Sequence, residues 1–268
     1  MKRERIRYYS DASTDDFAGT NIHTKPVGAD FPFHPSSIVW RIVAFLAYYL
    51  VAVPIVFLVS KLYLGLRFEN RRVLHKLRGT GFYLYGNHTQ QLDAFVPAMA
   101  AFPSKAYIIA NPDAVSLPLL RTVVQMLGAI PVPTELAGMR PFTDAVYARR
   151  AEGNCIAIYP EAHIWPFYTG IRPFPDTSFR YPVRDGAPVV AMVTTYRKRE
   201  GLFRFCARPG MTITFSEPMT ANPTLPPKKA QAELRDRVRA FMLEVSSRNE
   251  NVAFIRYIPL QGSCEPKE

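Results

Sequence analysis

Residues 81–93 read "GFYLYGNHTQQLD", an apolar segment rich in β-forming residues that runs into a polar turn. After residue 80 such segments alternate with longer stretches of helical periodicity. Strands are predicted at "FYLYG", "AYIIA", "AIPV" and "CIAIYP", and helices at residues 91–101, 117–127 and 139–152. This alternation is typical of an α/β domain with a mainly parallel central sheet flanked by helices.

The last third of the chain changes the pattern. The segments "PVVAMVTTY", "LFRFCA" and "MTITFSEP" follow one another with little helix between them, so we expect the sheet to become partly antiparallel, and therefore mixed. In residues 228–248, apolar side chains recur at helical spacing at Leu234, Val238, Phe241 and Val245. This spacing predicts a final amphipathic helix that covers one side of the sheet.

The net charge of +11 calls for an acidic partner, either nucleic acid or an anionic membrane surface. Residues 42–59 carry no charge over 18 positions. Six basic residues follow this run: Lys61, Arg67, Arg71, Arg72, Lys76 and Arg78. We therefore predict membrane lipids as partners, with the side that follows the run facing the cytoplasm, and no nucleic acid, since no zinc-finger or RNP-type pattern occurs.

The apolar run admits three interpretations. Pro54 favours a helical hairpin that dips into one leaflet, the length also fits a single span, and a buried core helix would have the same composition. Three cysteines without C-x-x-C spacing indicate a reducing, cytosolic environment. Together these features predict a flexible tail at residues 1–37, a membrane-associated helical segment at 38–78 and an α/β domain at 79–268.

Polar side chains follow two of the predicted strands, where open α/β sheets collect their ligands. Asn87 and His88 come after the first strand, and Glu161 and His163 come after "CIAIYP". For His88 and Asp93 to approach each other, the next helix must begin between them, and Asp93 can then reach one imidazole nitrogen. The alternative is a turn histidine satisfied by the backbone, with an aspartate favoured near a helix N-terminus.

Four motifs together resemble the glycerolipid acyltransferases. The segment "NHTQQLD" matches their N-H-x4-D box, and "YPEAHIW" is similar to their F-P-E-G-T-R box. The segments "GAIPVP" and "GAPVVAM" stand in the places of a G-x-I-F-I box and a later apolar-proline box. The resemblance covers residues 80 to 195 and extends to the order and separation of the boxes.

The resemblance implies an acyltransferase of phospholipid biosynthesis with an N-terminal membrane-embedding helix pair. In that family His88 would be the general base, Asp93 would orient it, and Asn87 would position its turn. Glu161 and His163 would belong to the acceptor site. The donor would be acyl-CoA or acyl carrier protein and the acceptor a lysophospholipid such as 1-acylglycerol-3-phosphate, with no metal and no further cofactor.

The chain departs from the family where the acceptor phosphate is held. Thr134 and Ile164 stand where arginines would be expected. Three other arginines, Arg140, Arg172 and Arg180, are therefore candidate phosphate ligands, because a guanidinium offers paired donors.

Two alternatives to an acyltransferase remain. One is a metal-dependent hydrolase that uses His88, Asp93, Glu161 and His163 as metal ligands, although no helix-spaced H-x-x-x-H pair supports it. The other is a non-enzymatic membrane-binding module, which leaves both polar boxes unexplained.

Overall fold

The computed structural model describes residues 5–19, 22–116, 120–201 and 204–260. The strands are β1 (Ile6–Tyr9), β2 (Arg67–Glu69), β3 (Phe82–Gly86), β4 (Ala106–Ala110), β5 (Ala129–Pro131), β6 (Cys155–Ile158), β7 (Val189–Arg197), β8 (Gly210–Phe215) and β9 (Arg256–Pro259). The α-helices are α1 (Ile38–Leu46), α2 (Val53–Leu62), α3 (Arg72–Lys76), α4 (Val96–Ala100), α5 (Arg121–Met126), α6 (Met139–Ala151), α7 (Arg180–Asp185) and α8 (Pro227–Ser246).

Seven strands form the central sheet in the order β2-β8-β7-β3-β6-β4-β5. Neighbours are parallel except for β7 and β8, which form an antiparallel pair in which Arg197 lies opposite Gly210. The predicted mixed, mainly parallel sheet with flanking helices is therefore confirmed. Strands β1 and β9 form a separate two-stranded parallel sheet.

Two predicted elements differ from the structure. In "LFRFCA", residues 204–207 contain no strand, and residues 202–203 lie outside the described part of the chain. The β7–β8 register explains this, because the residues between Arg197 and Gly210 form the connection of the hairpin. The helix predicted at 91–101 is a 3-10 helix, Gln91–Phe95, followed by α4; of the helix predicted at 117–127, α5 is the described part.

Alternate side chains of the sheet enter two separate hydrophobic clusters. Tyr83 and Tyr85 of β3 belong to one cluster, and Phe82 and Leu84 belong to the other. Because successive strand residues point to opposite faces, the clusters lie on the two sides of the sheet. Helices α6, α7 and α8 cover the first face, and α3 and α4 cover the second. The predicted final helix is confirmed as α8, which packs on β7.

The apolar run forms one continuous helix, Ile38–Leu62, which we call the apolar helix. It consists of α1, a π-helical stretch at Ala47–Ala52, and α2. The hairpin interpretation of Pro54 is thus corrected: this proline lies just after the π-helical stretch, at the start of α2, where its missing N–H does not break the helix. Where the resemblance implied a helix pair, the described residues contain a single helix of membrane-crossing length.

The apolar helix contacts the domain near its middle and at its C-terminal end. In its first half, the Tyr48 hydroxyl accepts a hydrogen bond from the main-chain N–H of Ala106, at 3.0 Å, where β4 begins. At its C-terminal end, Arg199 donates to the carbonyl of Leu62. Only 11% of its most apolar window is buried, so the core-helix interpretation does not describe it.

The first 37 residues, expected as a flexible tail, differ from that expectation where the structure describes them. Val27, Phe31 and Phe33 are buried in the hydrophobic cluster that α8 also covers. These side chains pack because the segment alternates polar residues with large apolar ones. Likewise β2 and α3, within the expected membrane-associated segment, join the central sheet and its core. The division at residues 37 and 78 stays a prediction.

We predict that Tyr48→Phe lowers the free energy of unfolding by about 1–3 kcal/mol, because the buried N–H of Ala106 loses its acceptor. Tyr49→Phe is the matched control, since the Tyr49 hydroxyl donates to the carbonyl of Pro103 at an exposed position. Denaturant unfolding in detergent micelles measures both variants. An equal, small change in the two would contradict the role assigned to Tyr48.

Candidate active site

The turn after β3 is fixed to the neighbouring strand by Asn87. Its side-chain amide donates to the carbonyl of Thr194 at 3.0 Å, and its side-chain oxygen accepts from the N–H of Thr194 at 2.8 Å. Because Asn87 is buried and Thr194 belongs to β7, this pair mimics one step of the β ladder beyond the end of β3. The chain therefore leaves the sheet with His88 in a defined place.

Asp93 closes the turn. Its Oδ2 accepts the main-chain N–H groups of Thr89 at 2.6 Å and Gln90 at 2.7 Å, and it lies 3.4 Å from Nδ1 of His88. The expected helix start between His88 and Asp93 is confirmed, since the 3-10 helix begins at Gln91. The side chain of Asp93 is 1% exposed, and its Oδ1 has no hydrogen-bond partner among the described residues.

The imidazole of His88 packs against Tyr159, the residue that follows β6, the strand next to β3 in the sheet. Its ring stacks on Tyr159 with a centroid separation of 4.6 Å, and the Tyr159 hydroxyl donates to the carbonyl of Asp93 at 2.5 Å. Burial raises the pKa of Tyr159 well above its usual value, so this hydroxyl stays protonated and remains a donor. With Nδ1 facing Asp93, Nε2 is the nitrogen left for a reactant; the side chain is 15% exposed.

Glu161 links the second polar box to the first. Its Oε2 accepts the main-chain N–H of His88 at 3.3 Å, and it also lies 3.3 Å from Nε of Arg172. Burial raises the pKa of Glu161, and the Arg172 guanidinium and two main-chain N–H groups act in the opposite direction. Ala162 has a φ of +63°, the left-handed conformation that favours glycine, and it stands where the family's box has glycine.

Arg172 lies behind Glu161 and not at an open surface. It is 1% exposed, its main-chain N–H and guanidinium both bind Glu161, and its guanidinium also donates to the carbonyl of His163 and lies over the ring of Trp165. The expected phosphate ligand is thus an internal partner of a carboxylate. The sequence spacing correctly predicted that Arg172 lies near Glu161, but it could not show that Arg172 is buried.

Two of the other predicted ligands, Arg140 and Arg180, lie away from the His88 turn. Arg140 and Arg180 line a cavity with Arg184 on the face covered by α6, α7 and α8, whereas α4, which follows the turn, packs on the opposite face. His163 is partly exposed and faces Asp16, with Nδ1 3.7 Å from the carboxylate. Among the described residues, no three or more His, Cys, Asp or Glu side chains converge as a metal site.

The N-terminal segment crosses the same edge of the sheet, which sequence reasoning missed. The Asp16 carboxylate accepts the N–H of Ile164. The N–H of Val27 donates to the Thr134 hydroxyl, and the carbonyl of Val27 accepts the main-chain N–H of Thr134. Both positions where arginines were expected therefore contact residues 16–27. Large apolar residues within a polar segment were the available signal.

An apolar groove lies beside the His88 turn, between the apolar helix and α5. It has a volume of about 400 Å³. Its walls are almost entirely aliphatic and aromatic, and they include Leu92 and Phe95 of the 3-10 helix that carries Asp93. The remaining lining residues are Ala47, Val51, Ala52, Ile55, Val56, Val59, Ser60, Leu64, Val123 and Leu127.

One protein-family model matches the part of the chain that contains this site. The family model described as Acyltransferase matches residues 66–195, a stretch that contains both polar boxes. The crystal structure of the 1-acyl-sn-glycerophosphate (LPA) acyltransferase PlsC from Thermotoga maritima is similar, with 15% identity, a TM-score of 0.49, and coverage of 78% of this chain and 98% of that one. No curated protein sequence matches the chain. The match spans the stretch that carries the motifs, so the predicted resemblance to the acyltransferase family is confirmed.

Proposed function

We propose that the protein transfers a fatty acyl group from the thioester of acyl-CoA or acyl carrier protein to a hydroxyl group of a lysophospholipid or related lipid. The observation that carries this proposal is the position of Asp93, which is buried, bound to two main-chain N–H groups and placed at Nδ1 of His88. A carboxylate at Nδ1 fixes the tautomer in which Nε2 accepts a proton.

In the proposed reaction, Nε2 of His88 takes the proton of the acceptor hydroxyl while the oxygen attacks the thioester carbonyl. The tetrahedral intermediate then expels the thiolate, and the imidazolium returns the proton to that sulfur. Asp93 supports the positive charge that forms on the ring between these two steps. The new ester bond replaces the thioester bond, and no acyl-enzyme is required.

The apolar groove supports an acyl substrate. A fatty acyl chain buries its methylene groups favourably against aliphatic walls, at about 0.8 kcal/mol for each methylene. Leu92 and Phe95 line the groove and flank Asp93 in the chain, so a chain bound there lies next to the catalytic turn. We place the acyl chain of the donor or of the acceptor in this groove.

The apolar helix supports action on a membrane-bound acceptor. Its outward face exposes many large apolar side chains, among them Ile38, Val39, Ile42, Phe45, Leu50, Phe57 and Leu58. Because the helix is bound to the domain near its middle, at Tyr48, and at its C-terminal end, at Leu62, we propose that it lies in one leaflet and does not cross the bilayer. The catalytic domain would then face the cytoplasm, beside the basic residues that follow the helix.

For the acceptor, we propose 1-acylglycerol-3-phosphate as the first candidate, with other lysophospholipids and simple lipid alcohols as competitors. This acceptor needs a phosphate ligand other than the expected ones, because Arg172 is bound to Glu161 and because Thr134 and Ile164, at the expected arginine positions, contact the N-terminal segment. An assay of these acceptors with acyl-CoA and with acyl carrier protein donors tests the proposal. Preference for a phosphate-free alcohol would remove the first candidate, and acylation of none would reject the acyl-transfer proposal.

We predict that His88→Gln lowers kcat by about a hundredfold or more, because the positioned general base is lost, while binding to vesicles is unchanged. His75→Gln is the matched control, since His75 is an exposed histidine of α3. Steady-state rates and circular dichroism measure activity and folding. A folded His88→Gln variant with near-normal turnover would rule out the mechanism.

We predict that Arg172→Met lowers the free energy of unfolding by about 3–5 kcal/mol, because the Glu161 carboxylate loses its buried counter-charge. The double variant Arg172→Met with Glu161→Gln should lose less than the sum of the two single variants. Denaturant unfolding measures these energies.

The same variants separate a structural role of Arg172 from phosphate binding. If Arg172 acts only on Glu161, the ratio of KM values for lysophosphatidate and for a monoacylglycerol stays constant in Arg172→Met. A selective rise in KM for lysophosphatidate in a stable Arg172→Met protein would instead make Arg172 a phosphate ligand.

A further inference from the structure

A second polar cavity opens at the amino ends of β4, β5 and β6, beside the first turns of the apolar helix. Its volume is about 400 Å³. Its charged and titratable lining comprises Arg41, Lys105, Arg149, Glu152 and His34, and its aromatic lining comprises Phe33, Trp40, Phe45, Tyr49 and Tyr107. Since His88 follows the carboxyl end of a strand parallel to β6, this cavity and the catalytic turn lie at opposite edges of the sheet.

The cavity carries an excess of positive charge. Three cationic side chains face one carboxylate, that of Glu152, which already binds Arg149 at 3.1 Å and His34 at 2.9 Å. Arg149 is 8% exposed, and its Nε has no hydrogen-bond partner among the described residues. A buried guanidinium N–H without an acceptor is costly, so a ligand that supplies an acceptor oxygen there would be stabilised.

Lys105 adds a second, partly buried cation. Its Nζ donates to the carbonyl of Met126 at 2.7 Å and lies over the rings of Tyr48 and Tyr107, and it has no carboxylate within salt-bridge distance in the described residues. Burial and the nearby Arg149 lower the pKa of Lys105 to about 8. An ammonium group has three donors, so two of them are left for an anion.

We propose that this cavity binds the phosphate group of an anionic membrane phospholipid. Lys105, Arg149 and Arg41 line the same cavity, and guanidinium and ammonium groups favour the oxygens of a phosphate as acceptors. Trp40 and Tyr49 also line the cavity, and amphipathic rings of this kind favour the headgroup region of a membrane. The lipid chains would then follow the exposed apolar side chains of Phe45, Leu46 and Leu50.

A phospholipid is favoured over a free anion because the polar cavity continues directly onto the exposed face of the apolar helix. This inference rests on the proposed docking of that helix in a leaflet and is independent of the acyl acceptor. Inorganic phosphate would use the same polar contacts, so the experiment must separate the two sources.

The experiment measures flotation of the full-length protein with phosphatidylcholine vesicles and with vesicles that also contain phosphatidylglycerol. We expect phosphatidylglycerol to raise the partition constant of the wild type, and Lys105→Met or Arg41→Gln each to reduce that gain about fivefold. Arg41 is exposed, so Arg41→Gln keeps the test valid if Lys105→Met fails to fold. Arg184→Gln, on the surface of α7, removes the same charge outside the cavity and should leave the gain within twofold.

The outcomes are distinct. If Arg184→Gln and Arg41→Gln reduce the gain in partition constant equally, the attraction is diffuse and the proposed site is wrong. The site is also wrong if Lys105→Met and Arg41→Gln both keep the gain of the wild type. Absence of flotation on phosphatidylcholine alone would reject the docking proposal and leave the acyl-transfer proposal untouched. If inorganic phosphate without vesicles raises the Tm of the wild type but not of Lys105→Met, while phosphatidylglycerol has no effect, the cavity takes a soluble phosphate and the lipid assignment is wrong.

Discussion

A single carboxylate oxygen organises the catalytic turn. Oδ2 of Asp93 receives the N–H groups of Thr89 and Gln90 and faces Nδ1 of His88. A buried carboxylate is costly unless it is well hydrogen-bonded, and the two short main-chain contacts offset that cost. The same contacts cap the 3-10 helix that carries Asp93. Local folding and the orientation of the imidazole are therefore consequences of one interaction.

Glu161 extends this constraint across the sheet. Glu161 lies in the loop after β6, and its carboxylate accepts the main-chain N–H of His88. His88 is therefore held by Glu161 through its main chain and by Asp93 through its ring. Arg172 supplies the counter-charge that allows Glu161 to remain buried. The two polar boxes are thus parts of one hydrogen-bonded unit, which explains why their joint occurrence in the sequence was more informative than either alone.

The sequence was sufficient for features that depend on local periodicity and spacing. Strand and helix alternation predicted the mainly parallel sheet, and the closely spaced later strands predicted its antiparallel part. The five-residue step from His88 to Asp93 required a helix to begin between them. It was insufficient where burial decides the role of a residue. Arg172 and Arg140 were both candidate phosphate ligands, yet Arg172 is bound to Glu161 and Arg140 is exposed on α6. Long-range packing also decided the N-terminal segment, whose Val27 and Phe33 enter the core.

The contacts of the apolar helix with the domain support its proposed orientation at the membrane. Tyr48 fastens the helix to the start of β4, and Val56 packs on the face of the sheet that α4 covers. A helix that crosses a bilayer must reach both of its surfaces, so its two ends lie on opposite sides. The apolar helix is instead bound to the same domain at Tyr48 and at Leu62. In the proposed orientation its outward side chains enter the leaflet and its inner side forms a wall of the groove next to Asp93. An acyl chain could then pass from the leaflet to the His88 turn along apolar surface, without first being exposed to water.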